Sequence, residues 1–167
     1  YTVDKSNPSV VSIVRADSNP TNATSVNFTV TFSESVTGVG TDDFVIDATN
    51  ISGASITLVS GGGSSYTVAV NTGSGDGTLS IDLDDDDSIV DISSNPLGGA
   101  GANDYTAGQA YTIDKSLPTV SSIVRADANP TNATSVGFTV TFSEAVSNVD
   151  MSDFSLDATG VSGASIT

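Results

Sequence analysis

The chain has 167 residues, four of them basic and twenty acidic, for a formal charge of −16, with no cysteine and no histidine. That inventory excludes disulfides, thiolate chemistry and the usual histidine-based triads, and it argues against nucleic acid or an anionic membrane as a partner, because polyanions would be repelled. No apolar run approaches the roughly 18 residues that a membrane helix needs, so no membrane insertion is expected of this segment.

The first residues carry neither a signal-peptide nor a tag pattern, and an export signal is expected outside this segment. A first strand is expected over 9–14 (SVVSIV). The second, 26–32 (VNFTVTF), alternates cleanly: Val26, Phe28, Val30 and Phe32 share one face, with Asn27, Thr29 and Thr31 on the other. Further strands are expected over 43–47, 54–60, 65–71, 78–83 and 109–113, separated by turn formers such as SGGGSS, NTGSGDG and NPLGGAGAND. No segment has a helical period. Seven short, half-buried strands predict an all-β fold, two antiparallel sheets packed face to face as a β-sandwich. If strand directions alternate, the N-terminal segment and the loops after the second, fourth and sixth strands gather at one end.

The chain also repeats itself. Residues 1–57 and 111–167 align without gaps at an offset of 110 and are identical at 41 of 57 positions. All four basic residues pair up, Lys5 with Lys115 and Arg15 with Arg125. The sequence therefore reads as one complete repeat, 1–110 with a linker over 1–7, followed by the N-terminal half of a second, 111–167. Two origins stay open: a piece of a longer tandem array, or a half repeat completed by strands of a neighbouring chain.

The ordered set NPTNATSV, FTVTFSE, GDGTLSIDL, DDDSIVD, NPLGG and YTIDKS resembles the bacterial Ig-like repeats of large secreted adhesins and other surface proteins. The resemblance covers the 1–110 unit and continues through 167. It implies a Greek-key immunoglobulin-like sandwich, repeats in tandem, and calcium bound near domain junctions. Asp84 departs from it, since apolar residues are common at that point in similar repeats.

The stretch DLDDDDSIVD (82–91) puts six carboxylates in ten residues, and no basic residue stands between Arg15 and Lys115. Leu79, Ile81 and Leu83 alternate inward, and the same phase would aim Asp85 and Asp87 into the core. A buried unpaired charge there would be too costly, so the strand is expected to end near Leu83, leaving Asp84, Asp85, Asp86 and Asp87 on a hydrated loop at the tip. Like charges about 4 Å apart repel by roughly 1 kcal/mol in water and about 4 kcal/mol at a protein-surface dielectric. A divalent cation would relieve this, and calcium takes six to eight oxygens from carboxylates and loop carbonyls. Zinc is a poor fit without Cys or His. Asp91 and Asn95 follow closely and could fold back. The linker acid Asp4 and the loop acid Glu34 are expected at the same end, with Asp114 and Glu144 as their counterparts in the second repeat. The competing reading is a solvated acidic loop, as charge runs often are.

Paired carboxylates could in principle cleave a glycosidic bond, but there is no tryptophan platform for a sugar, and enzyme activity is not expected. The expected function is a structural repeat of an extracellular, surface-attached protein or fibre, stiffened by calcium, whose partners are calcium, neighbouring repeats and other copies of the chain. Two alternatives are a cell-adhesion module whose loops bind a carbohydrate or host protein, and a self-assembling fibre subunit.

Overall fold

The computed structural model describes residues 3–167 and is built almost wholly from strands and loops. It divides into two compact units, Tyr1–Ser116 and Leu117–Thr167.

The first unit contains β1 (Val10–Arg15), β2 (Ser25–Thr37), β3 (Phe44–Thr49), β4 (Ser55–Asn71), β5 (Gly77–Leu83), β6 (Val90–Asp91) and β7 (Tyr111–Ile113), with a short 3-10 turn at Thr41–Asp43. β1, β2 and β4 form one sheet in that order, and β6 also pairs with β2. The second sheet runs β3–β5–β7. Every strand pairing is antiparallel.

β4 absorbs the two strands expected over 54–60 and 65–71. The Thr57 hydroxyl donates to the Ala69 carbonyl at 3.0 Å, whereas twelve residues of straight strand would span about 40 Å. The element therefore doubles back on itself. The reversal lies between Gly61 and Ser65; Gly61 has φ +122°, and a Cβ there would stand 2.6 Å from the Ser65 carbonyl. Only glycine accepts both conditions. The second leg of this hairpin pairs with β2.

Alternation places the core. Val26, Phe28, Val30 and Phe32 of β2 are buried, as are Leu79, Ile81 and Leu83 of β5, and one apolar cluster joins both sheets. Tyr111 of β7 pins the layers together. Its ring meets Phe28 edge-on at 5.0 Å, and its hydroxyl donates to the Asn27 carbonyl at 2.7 Å while accepting the Asp17 N–H at 2.8 Å. Because β7, Lys115 and Ser116 all bond back to it, the unit extends past residue 110 to Ser116.

The second unit holds one hairpin, β8 (Val120–Arg125) with β9 (Phe138–Phe142), and a 3-10 turn at Met151–Asp153. Its register, Val120 opposite Phe142 through Arg125 opposite Phe138, is that of β1 and β2 shifted by 110 residues, and the irregularity after Val120 matches the one after Val10.

Candidate metal centre

Three carboxylates of the first unit converge. One oxygen each from Asp4, Glu34 and Asp91 lies within 4.8 Å of the others. They come from three places in the sequence. Asp4 stands before β1, where its side chain accepts the Ser6 N–H at 2.9 Å and so holds a tight turn. Glu34 belongs to β2 itself rather than to the loop after it. It occupies the inward phase between Phe32 and Val36, at the end of the sheet where burial is partial. Asp91 sits on β6 opposite Val36 and is only 3% exposed.

The surroundings divide the labour among these acids. Burial pushes the Asp91 carboxyl up, but the Asn95 side-chain amide and the Asn95 and Ser93 N–H groups outweigh it and hold the group below the ordinary aspartate range. Those bonds measure 2.8 Å each. Glu34 has no such support. Burial, then the charges of Asp4 and Asp91, raise it above the ordinary glutamate value. A carboxylate whose ionised form is favoured by hydrogen bonds thus stands beside one whose ionised form is disfavoured by burial and neighbouring charge, a strain that a cation would relieve.

The geometry fits calcium. Two oxygens on one calcium at 2.3–2.6 Å cannot be more than about 5 Å apart, and the three carboxylates satisfy that limit. The donor set is all oxygen and carries three negative charges, which suits a hard divalent ion and not a thiolate- or imidazole-seeking one.

The aspartate run behaves differently from expectation. β5 does end at Leu83. Asp84 is exposed, and its N–H donates to the Asp43 carbonyl. Asp86 is exposed and accepts the Ser88 N–H at 3.0 Å. Asp87 has φ +66° and accepts the Gly101 N–H with both oxygens at 3.1 Å. Asp85, however, is not hydrated: it keeps the inward phase of β5 and is only 4% exposed. The reason is that the chain from Leu97 to Tyr105 folds over it. Asp104 accepts the Asp85 N–H at 3.0 Å, and Tyr105 exchanges backbone hydrogen bonds with Leu83.

Asp114 and Glu144 do not join a cluster of three among the described residues. Asp114 accepts the Ser116 N–H, repeating the turn of Asp4. Glu144 lies exposed just beyond β9. Asp17 and Asp127 act in turns, accepting the N–H of Asn27 and Gly137.

Sequence reasoning missed two acids. Asp43 is buried and bonds the Gly40 N–H and the Ser88 hydroxyl. Asp104 ends the turn-rich stretch NPLGGAGAND and accepts the Asp85 N–H. A polar residue that must close a loop over buried chain carries no periodic signal, so neither stood out. Among the described residues, no helix is long and apolar enough to cross a membrane. No protein-family model matches this chain, and neither a curated protein nor a solved structure matches it.

Proposed function

We propose that the first unit is an immunoglobulin-like repeat of an extracellular tandem array and that it acts as a stiff spacer braced by calcium. The strand order supports the immunoglobulin-like part. Counting the two legs of β4 separately gives seven main strands, with the first, second, fifth and fourth in one sheet and the third, sixth and seventh in the other. The repeat of register between β1–β2 and β8–β9 supports the tandem part.

The observation that carries the reading is the Asp4–Glu34–Asp91 group. A cation there ties the segment entering the sandwich to the ends of β2 and β6. The segment leaving it is tied as well: the Lys115 ammonium donates to the Thr72 hydroxyl at 2.9 Å and to the Gly73 carbonyl, and Asp76 accepts from Lys115 and Ser116. A unit fixed at both entry and exit transmits direction, which is what a stalk or surface fibre requires. Neighbouring repeats are then the natural partners.

Calorimetric titration of the metal-stripped chain tests this. Calcium should bind, and Glu34→Gln should remove binding at this group while leaving the fold intact. Uptake unchanged in Glu34→Gln would refute the site.

A specific observation favours a second reading. In the second unit Phe138 is 55% exposed, whereas its counterpart Phe28 is fully buried. A face of that composition calls for covering strands, from further along the same polypeptide or from another copy; the second source would make the chain a self-assembling fibre subunit. A concentration-dependent sedimentation coefficient would support this reading over the simple spacer.

A further inference from the structure

Outside the Asp4–Glu34–Asp91 group, one buried side-chain atom among the described residues lacks any hydrogen-bond partner: Oδ2 of Asp85. Its other oxygen accepts only the Asp87 N–H, at 3.2 Å. Burial raises the Asp85 carboxyl above the ordinary range; the Asn103 amide and backbone N–H come close enough to offset part of that rise, yet neither reaches Oδ2 with hydrogen-bond geometry. An unpartnered buried carboxylate oxygen is costly, and either a proton or a cation must answer it.

The second observation lies on the covering loop. Three backbone carbonyls, of Leu97, Gly99 and Gly101, converge on the single side-chain nitrogen of Asn103 at 3.3, 2.9 and 2.5 Å. An amide nitrogen has two hydrogens, so three acceptors exceed what it can serve. Positive φ at Gly98, Gly99 and Gly101 lets alternate carbonyls turn to one side. Three carbonyl oxygens and a nearby buried carboxylate make a donor set for a hard cation, with the Asn103 amide as the plug.

We propose that this bowl is a second calcium site, in which the carbonyls of Leu97, Gly99 and Gly101, the Asp85 Oδ2 and the Asn103 side-chain oxygen, turned inward, hold the ion, with Asp87 at its rim. It shares no residue with the Asp4–Glu34–Asp91 group. Calcium suits it because loop carbonyls and one or two carboxylates are ordinary ligands for that ion.

Calorimetry on the full chain separates the two sites. Wild type should take up two calcium ions, Asp85→Asn one, Glu34→Gln one, and the double variant none. If Asp85→Asn keeps both ions at unchanged affinity, the second site is refuted. If wild type takes up one ion and Glu34→Gln abolishes it, the second site falls and the first stands; if Asp85→Asn abolishes it, the first falls and the second stands. Asn103→Asp tests the role of the amide and guards against a misfolded Asp85→Asn. As a ligand, the added carboxylate should lower the melting temperature in chelator, regain it in calcium, and tighten binding about tenfold, since affinity rises with ligand charge. If Asn103 serves only as a donor, Asn103→Asp stays destabilised in millimolar calcium, and the proposal is overturned.

Discussion

Glu34 is where the sandwich gives up apolar packing for charge. It takes the position that continues Phe28, Val30 and Phe32, yet it ends in a carboxylate raised above the ordinary value of 4.5 by burial and by two neighbouring acids. In the metal-free chain, a raised folded value contributes stability that is fully present below the unfolded value and lost as pH rises through the folded one. Bound calcium reverses the sign, because the proton and the ion compete for the same oxygens. Calcium affinity at this group should therefore fall as pH drops toward the raised Glu34 value. Titrations at neutral and mildly acidic pH check it, and a pH-independent affinity in wild type would contradict it. The sequence made Asp4, Glu34 and Asp91 visible by their expected place at one end of the sandwich: in the entering linker, just past the second expected strand and at the end of the acidic run. It did not reveal that Asp85 is buried, because that depends on Asp104 and Asn103, whose loop reads only as glycine-rich turn.

At the scale of elements, the exit segment shows how one acid can organise a junction. Asp76, in the loop between β4 and β5, accepts the Ser116 hydroxyl and the Lys115 N–H, and these bonds, the hydroxyl foremost, hold it below the ordinary aspartate value. The latch therefore contributes stability that is present above the unfolded value and lost as pH falls through the lowered one. Asp76→Ala removes the acceptor, so the Lys115 amide should exchange at least about tenfold faster while core amides stay protected. Hydrogen exchange read by NMR distinguishes this local release from global loss of structure. β6 had no advance signal, since two residues are too few for alternation to show; its place is fixed by Asp91, whose Asn95 and Ser93 partners close the turn that brings Val90 and Asp91 against β2. The hairpin within β4 was legible from SGGGSS, because a glycine run between two alternating segments leaves little else for the chain to do.

At the scale of the molecule, the same local sequence gives the same hairpin twice but not the same burial. Phe28 and Phe138 hold equivalent registers, opposite Arg15 and Arg125. Phe28 is enclosed because the Tyr111 ring packs against it, Val68 stands beside it in the sheet and Leu79 belongs to the same buried cluster; Phe138 is 55% exposed. Alternation can be read from eleven residues, but the partners that turn it into a core lie some forty to eighty residues away in the first unit. The energetic consequence is testable in one chain. Phe28→Ala should destabilise the first unit by about 3–5 kcal/mol, as expected for a large buried aromatic. Phe138→Ala should change stability by no more than about 0.5 kcal/mol, as for an ordinary surface position. Urea unfolding at low protein concentration measures both. A cost for Phe138→Ala approaching that of Phe28→Ala, and growing with protein concentration, would mean that another copy covers this face in solution, and the fibre reading would then displace the spacer.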